Sequence, residues 1–204
     1  MGKDVIIFGT GPTKVQCPFD TETWGVNTAY IIIYNMQGRL DKMFIGHNPN
    51  PYPIYYTLED GMRLFPDNWN WDLVDGLAKM GVDVITLHKI PNVQSRIYPL
   101  KRIIKKFGCA YFTDTICYML AYAIDKGYEK IRLYGIDMAD KEEYKWEKGG
   151  IEYWIGYARG LGIKVQIATG SNVCRTKTGR PFGTPEYERI RVWQEEQRKT
   201  SQIK

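Results

Sequence analysis

The second half of the sequence contains two successive copies of one pattern, in which a helical stretch is followed by a glycine and then by a short apolar run. Apolar residues recur at helical spacing over 116–126 and 151–159. The runs that follow, 130–134 and 164–168, have the length and composition of strands. Because parallel strands need a crossover between them, which is usually a helix, two such units predict a parallel sheet.

The first half of the sequence supplies further segments of the same kind. Runs rich in apolar, aromatic and β-branched residues predict strands at 4–9, 29–35, 42–48 and 82–88. Helical spacing predicts helices at 72–80, at 99–108, at 113–126 after a Thr113 or Asp114 cap, and in the C-terminal tail. Alternating strands and helices predict an α/β fold, with a mostly parallel sheet and helices on both faces.

In open sheets of this class, ligands bind outside the carboxyl ends of the strands. The predicted strands place four loops at that edge, which follow Phe8, Asn35, Ile45 and Tyr134. Residues with binding or catalytic chemistry are therefore sought first in these loops.

The length and the N-terminus limit the class of protein. A chain of 204 residues is long enough for one domain with a sizeable core. The first four residues carry one basic and one acidic side chain, and the apolar run 5–8 is too short for a signal peptide or a membrane span. We predict a cytoplasmic protein.

Cysteine and histidine are sparse. The sequence has four cysteines, without a CxxC pair, and two histidines, His47 and His88. This spacing gives no support to a zinc site, so we predict no metal ligands and interpret the cysteines as structural thiols. They are Cys17, Cys109, Cys117 and Cys174.

The positive charge is unevenly distributed. The net charge is +5, the segment 84–113 contains six basic residues and no acidic one, and the segment 175–204 is also basic. Such segments suit an acidic ligand, either a nucleotide phosphate or a nucleic acid. They are equally typical of a solvated helix face, and both interpretations stay open.

The first predicted strand runs into the sequence Gly-Thr-Gly-Pro-Thr. Glycines let a ligand approach the backbone closely, and the N–H groups of such a turn can bind an anion. The motif lacks the Lys-Ser/Thr of a P-loop and the third glycine of the dinucleotide fingerprint. A tight turn without a ligand is the alternative. The five residues are Gly9, Thr10, Gly11, Pro12 and Thr13.

Three polar residues stand beside apolar runs. Asn27 and Asn48 can hydrogen-bond a base, a ribose or a phosphate, but asparagine is also a common turn residue. Asp137 lies two residues after Gly135, just beyond a predicted strand. Its carboxylate can bind a ribose hydroxyl or a cation, act as a base, or simply cap a turn.

Together these motifs resemble a Rossmann-like superfamily. The first strand with G-x-G-P-[ST], the nearby asparagines and the segment CYMLAYAIDKGYEKIRLYGIDM are similar to bacterial lipooligosaccharide sialyltransferases. Archaeal 6-hydroxymethylpterin diphosphokinase-like proteins and small phage-encoded proteins show similar patterns. The similarity extends to about Asn172 and implies a Rossmann-like fold.

The resemblance implies where a nucleotide would bind. In the sialyltransferases the glycine-rich turn and two asparagines contact a cytidine nucleotide, and those roles fall here on the five turn residues, Asn27 and Asn48. The family's Thr-Ser-Gly at the start of a central helix corresponds to Asp114-Thr115-Ile116, so that Thr115 takes the place of the serine. The family's glycine and aspartate correspond to Gly135 and Asp137.

The chain departs from the family at the catalytic base. The sialyltransferases use a histidine shortly before the last helix, whereas no histidine follows His88 here, and the nearest equivalent is about Lys145. The family's tyrosines near the leaving phosphate have Tyr144 and Tyr153 as candidates. We expect Lys145 or Tyr144 to neutralise the leaving phosphate, and Asp137 to orient a hydroxyl or act as a base.

These observations predict a nucleotide- or nucleotide-sugar-binding transferase, in the first place a glycosyltransferase. A non-catalytic nucleotide binder and a phage-type nucleic-acid-modifying protein are the alternatives. The donor nucleotide would be a co-substrate, with a divalent cation left open. We predict a nucleotide-binding domain over 1–172 and a basic extension over 173–204, whose helix packs on the domain or on a partner subunit.

Overall fold

The computed structural model describes residues 2–46, 56–58, 61–63, 71–90, 92–138, 142–176 and 178–201. The strands are β1 (Asp4–Phe8), β2 (Glu22–Val26), β3 (Lys42–Ile45), β4 (Tyr56–Leu58), β5 (Gly61–Arg63), β6 (Asp83–Thr86), β7 (Arg96–Ile97), β8 (Lys130–Tyr134) and β9 (Lys164–Ile167). The helices are α1 (Ala29–Asn35), α2 (Trp71–Lys79), α3 (Leu100–Phe107), α4 (Thr115–Asp125), α5 (Glu142–Gly160) and α6 (Pro185–Ser201). A 3₁₀ helix, Pro12–Gln16, follows β1.

Seven strands form one parallel sheet in the order β7-β6-β3-β2-β1-β8-β9. Each neighbouring pair is parallel, and β1 lies inside the sheet between β2 and β8, with Val5 opposite Glu22 of β2 and Ile131 of β8. Strands β4 and β5 pair antiparallel, apart from this sheet. The predicted α/β class with a parallel sheet is confirmed.

Both faces of the sheet are covered by helices. Met43 and Ile45 of β3 pack with Val74 of α2, whereas Phe44, between them, points to the opposite face and contacts the ring of Tyr122 in α4 at 5.5 Å. Because successive side chains of a strand point to opposite faces, this alternation shows an apolar layer on each side. The apolar residues Val5 to Phe8 of β1 are fully buried for the same reason.

Helix α4 is the most deeply buried helix of the described chain. Asp114 caps it by accepting a hydrogen bond from the Cys117 amide at 3.0 Å. Of the two predicted caps, Thr113 and Asp114, the second is therefore the observed one. Beside it, Trp154 of α5 is fully buried and donates its indole N–H to the Tyr111 carbonyl at 2.8 Å. The loop before α4 and the body of α5 are therefore fixed to each other.

The segment 29–35 is a helix, not the predicted strand. Ala29, Tyr30 and Ile33 are buried whereas Ile31 and Tyr34 are exposed, a pattern with the period of a helix. A strand would place Ile31 and Ile33 on one face. The β-branched composition suggested a strand, but packing against the sheet decides for a helix.

Strand β2 was not predicted, because its sequence Glu-Thr-Trp-Gly-Val reads as polar and flexible. Glu22 is partly buried there and accepts hydrogen bonds from the Tyr128 hydroxyl, the Lys42 ammonium and the Trp24 indole. These partners offset the desolvation of its carboxylate and hold its pKa below the usual value, against burial, which acts in the opposite direction.

Helix α6 ends the described chain. It carries Val192 and Trp193, which are exposed, and Phe182, just before it, is also exposed. The division into 1–172 and 173–204 stays a prediction. No helix within the described ranges has the length and apolarity needed to cross a bilayer.

The ion pair between α3 and the end of α4 makes stability dependent on pH. The Asp125 side chain is 2% exposed, and hydrogen bonds from Arg102, then from Lys106, lower its pKa. A carboxylate whose pKa falls on folding stabilises the protein above its ordinary pKa of 3.8, and this contribution is lost as the pH drops below that value.

We expect Asp125→Asn to lower the free energy of unfolding at pH 7 by about 1–2 kcal/mol, since Arg102 is half exposed. The difference from the wild type should shrink below pH 3.8, as measured by urea unfolding at several pH values. Glu129→Gln, at an exposed carboxylate, is the control. Equal losses in the two variants at pH 7 would contradict a specific role for the pair.

Candidate functional site

The carboxyl edge of the sheet brings the candidate residues together. The chain leaves β1 for β2 on one side, and β8 later joins β1 on the other side, so β1 and β8 flank the topological switch point. Open α/β sheets bind ligands at such a point, outside the strand ends. Two turns meet there: residues 9–13 after β1, called the first turn, and residues 135–138 after β8, called the second turn.

Backbone hydrogen bonds join the two turns. The Gly9 amide donates to the Tyr134 carbonyl and the Gly11 amide to the Gly135 carbonyl, both at 2.8 Å. In return, the Gly135 amide donates to the Thr13 hydroxyl at 3.0 Å. The amides of Gly9 and Gly11 are thus used inside the protein, and Thr10 and Pro12 are the exposed residues of this motif.

Close contact between the turns explains their glycines. A Cβ on Gly9 would collide with the Gly135 carbonyl oxygen, and a Cβ on Gly135 would collide with the Gly9 carbonyl oxygen. Gly135 also has a φ of +68°, which favours glycine. A Cβ on Gly11 would collide with the Asp137 carboxylate. The glycines are therefore required by the contact of two loops, whether or not a ligand is present.

Asp137 lies beneath the first turn. Its Oδ2 accepts a hydrogen bond from the Thr13 amide at 2.7 Å, and the residue is only 8% exposed. Within the described ranges, its Oδ1 is the one buried side-chain oxygen or nitrogen without a hydrogen-bond partner. Leaving a buried acceptor unsatisfied costs about 1–3 kcal/mol, and the cost is larger for a charged group. The described residues therefore supply no hydrogen-bond donor to Asp137 Oδ1.

Sequence reasoning missed two residues that support the turns. The Ser171 hydroxyl donates to the Ile136 carbonyl at 2.7 Å and fixes the second turn from below. The Lys14 ammonium donates to the Thr10 carbonyl at 3.1 Å and so lies at the rim of the first turn. A lysine directly after the glycine-rich motif was the available signal for Lys14, whereas no local pattern marks Ser171.

One strand further along the edge, Asn27 joins three elements. It directly follows β2 with a φ of +49°, and its Oδ1 accepts hydrogen bonds from the Gly46 amide at 3.3 Å and the Thr115 hydroxyl at 3.5 Å. Its own amide donates to the Phe44 carbonyl at 2.8 Å. Because the side-chain oxygen is taken twice, Asn27 can offer a ligand its two N–H donors.

The start of α4 completes this part of the site. Thr115 is the first residue of the helix, and a Cβ on Gly46 would collide with its hydroxyl oxygen. Burial raises the pKa of the capping Asp114, and the Cys117 amide hydrogen bond opposes this shift. The structure thus places the Thr115 hydroxyl against Asn27. The ligand-binding role given to Thr115 from the sequence stays a prediction.

A small cleft of about 10 Å³ lies beside Thr115, between the ends of β3 and β6. The residues that line it are mostly apolar: Phe44, Ile45, Gly46, Ile85, Thr86, Leu87, Tyr98, Thr115 and Tyr118. The cleft extends the carboxyl edge away from the switch point.

The remaining candidates lie partly outside the described residues. Asn48 is outside them, and so is the side chain of Tyr144, a residue in the first turn of α5. Lys145 is exposed on the same helix. Tyr153, further along α5, contacts the Tyr111 ring at 5.7 Å. The assigned roles of these residues stay predictions.

Cys17 and Cys117 are buried packing residues, whereas Cys109 is partly buried and Cys174 is exposed. Burial raises the pKa of Cys17 to about 11 and that of Cys117 to about 12, which disfavours a reactive thiolate. Within the described ranges, no group of three or more potential metal-ligating side chains is found.

Part of the basic charge is neutralised by neighbouring carboxylates. In the segment 84–113, Arg96 pairs with Asp83, and Arg102 and Lys106 pair with Asp125. In the tail, Arg191 pairs with Glu188 and Glu195, both at 2.9 Å. These pairs fit a solvated surface. Nucleic-acid binding stays a prediction, and so does homo-oligomer formation.

Comparison with known proteins shows the fold. Two structures of the sialyltransferase CstII from Campylobacter jejuni are similar to this chain. The complex with the substrate analogue CMP-3FNeuAc has 19% identity and a TM-score of 0.51, over 81% of this chain and 80% of that one. The complex with cytidine-5'-monophosphate has 17% identity and a TM-score of 0.52, over 83% and 81%.

Comparisons with family models and with curated proteins identify no family for this chain. No family model matches the chain, and no curated protein matches it. The structural likeness confirms the sialyltransferase-like fold implied by the sequence motifs. The pterin diphosphokinase and phage parts of that resemblance stay predictions.

The contact between the two turns can be tested by adding one methyl group. We expect Gly135→Ala to lower the free energy of unfolding by more than about 1 kcal/mol, because a positive φ and a collision act together. Gly108→Ala is the matched control, since Gly108 has a φ of +63° and open space around its Cα. Denaturant unfolding of both variants measures the difference. An equal loss in both variants would mean that the turns tolerate a side chain.

Proposed function

We propose that this protein binds a cytidine nucleotide, with or without a sugar, at the carboxyl ends of β1, β2 and β8, and that it is a glycosyltransferase. The observation that carries the proposal is the buried Oδ1 of Asp137, which lacks a donor at the switch point of the sheet. The sialyltransferase-like fold supports the same site, because the similar structures contain CMP or a CMP-sugar analogue.

The chemistry of the site suggests how a nucleotide lies in it. A carboxylate accepts hydrogen bonds and repels phosphate, so Asp137 suits a ribose hydroxyl or an amino group. The phosphate belongs further along the edge, where Asn27 offers N–H donors and Thr115 a hydroxyl. Lys14 adds a positive charge at the rim of the first turn. The nucleoside therefore lies over β1 and β8, and the phosphate lies over β2.

Transfer requires stabilisation of the charge that develops on the leaving phosphate. Preorganised donors aimed at that charge are the usual means, and Asn27 and Lys14 are available for it. Lys145 and Tyr144 retain the roles proposed from the sequence. A divalent cation carried by the nucleotide is compatible with this arrangement.

Thermal unfolding with CMP tests the proposal. Ligand at a hundred times its Kd stabilises the native state by about 2.7 kcal/mol, so CMP should raise the Tm of the wild type by several degrees. Asp137→Asn should remove most of this shift, since an amide N–H replaces an acceptor. Asp20→Asn is the control, because Asp20 pairs with Arg132 at the opposite edge of the sheet.

A second variant probes the phosphate end. Asn27→Asp keeps the acceptor oxygen and tolerates a positive φ, but replaces the N–H donors by a negative oxygen. It should fold and lose at least tenfold in CMP affinity. If CMP fails to stabilise the wild type, or if both variants bind like the wild type, the proposed site is wrong.

Turnover distinguishes the transferase from a non-catalytic binder. A transferase should release CMP from CMP-N-acetylneuraminic acid, by hydrolysis or by transfer to an acceptor. Donor recovered intact after prolonged incubation, together with a normal Tm shift, would favour the binder.

A further inference from the structure

Thr113 uses its hydroxyl on a helix other than the one it precedes. The hydroxyl is partly buried and donates to the Glu147 carbonyl of α5 at 2.8 Å. Asp114 occupies the capping position of α4, so the Thr113 hydroxyl is not needed to begin that helix. Thr113 therefore joins the loop before α4 to the N-terminal part of α5.

The Thr113 hydroxyl is oriented from both helices. The Cys117 Sγ of α4 lies 3.5 Å from it, and burial raises the pKa of this thiol to about 12. The thiol is therefore protonated near neutral pH and can donate to the hydroxyl oxygen, while the hydroxyl proton goes to the Glu147 carbonyl. Valine at this position would keep the shape of the side chain and remove both contacts.

Two neighbouring glycines of α5 fit the same contact. A Cβ on Gly150 would collide with the Thr113 hydroxyl. A Cβ on Gly149 would come within 2.9 Å of the Tyr111 hydroxyl. Because glycine inside a helix is destabilising relative to alanine, the close approach of the loop explains why two occur in succession. The loop is held again where the Trp154 indole donates to the Tyr111 carbonyl at 2.8 Å.

Both helices begin at the edge of the sheet that carries the candidate site. Helix α4 leads into β8 and α5 leads out of it, so each helix starts where the parallel strands end. Thr115, two residues after Thr113, hydrogen-bonds Asn27. Lys145 precedes Glu147 by two residues, which is about 3 Å along a helix. The Thr113 bond thus lies between two residues that have roles in the proposed reaction.

We infer that Thr113 is a positioning residue of the transfer reaction. The inference rests on the function proposed above, in which Asn27 binds the phosphate and Lys145 neutralises its charge. The Thr113 bond fixes the helix that carries Lys145 relative to the helix start that contacts Asn27. Stabilisation of charge depends on distance, and a shift of about 1 Å can cost about 10²-fold in rate. Thr113 acts through Lys145 and not on the substrate.

The rate of CMP release from CMP-N-acetylneuraminic acid tests the inference. We expect Thr113→Val to lower kcat by about 10- to 10²-fold, with KM and the CMP-induced Tm shift unchanged. Thr113→Ser keeps the hydroxyl and should restore most of the rate. Equal losses in these two variants would contradict a role of the hydroxyl.

Thr21→Val is the matched control. The Thr21 hydroxyl is also partly buried and donates to a backbone carbonyl, that of Asp4 at 3.3 Å. It directly precedes β2 and therefore lies at the opposite edge of the sheet. This variant loses the same kind of hydrogen bond and should keep the wild-type kcat.

A double-mutant cycle separates positioning from a purely structural role. We expect Lys145→Met to lower kcat by itself, and Thr113→Val to cause no further loss in the Lys145→Met background. Independent effects would multiply, and that result would contradict an action through Lys145. A wild-type rate in Lys145→Met would also overturn the inference, because Thr113 would then have no charge to position.

The outcomes separate this inference from the proposed function. A missing Tm shift with CMP in the wild type would mean that the nucleotide site is wrong. A Tm shift without CMP release would mean that the protein is a binder. Either result also overturns the inference, since no transfer then needs positioning. Normal binding and turnover in the wild type, with an unchanged kcat in Thr113→Val, would overturn the role of Thr113 alone.

Discussion

The contact between the turns after β1 and β8 is the interaction on which the rest of the site depends. Four hydrogen bonds hold it: from the Gly9, Gly11, Gly135 and Thr13 amides, the last to Asp137. They close the switch point of the sheet and set the position of a buried carboxylate. A large part of what resembles a ligand motif is therefore explained by the contact between two loops, and the proposed ligand site lies on top of it.

The sequence predicted the fold class because helix periodicity and glycine stops repeat in the second half. The secondary structure of the first half was predicted less accurately. At Ile31 and Ile33, β-branched composition pointed to a strand, while the packing of Ile33 against the core makes a helix. The acidic residue Glu22 made strand β2 unrecognisable in the sequence. It is partly buried in the sheet because it hydrogen-bonds Lys42 and Tyr128, which are distant in the sequence. Such tertiary pairings leave no local signal.

The candidate site was predictable to the same extent. Asp137 was predicted as a candidate because it follows the end of a predicted strand. Asn27 was a candidate because it stands beside an apolar run and corresponds to an asparagine of the sialyltransferases, whereas the strand that it follows, β2, was not predicted. The unsatisfied oxygen of Asp137 and the double acceptor role of Asn27 depend on distances between loops, which a sequence does not contain.

The geometry of Asn27 has a consequence for how this protein can diverge. The residue needs a backbone with positive φ and an oxygen that accepts from two elements, so few side chains preserve the fold there. Aspartate meets both needs but presents a negative oxygen, in place of N–H donors, to a phosphate. A single substitution at this position would therefore inactivate the proposed nucleotide site in a protein that still folds. A homologue with the same fold and without nucleotide binding could therefore arise from this protein by one substitution.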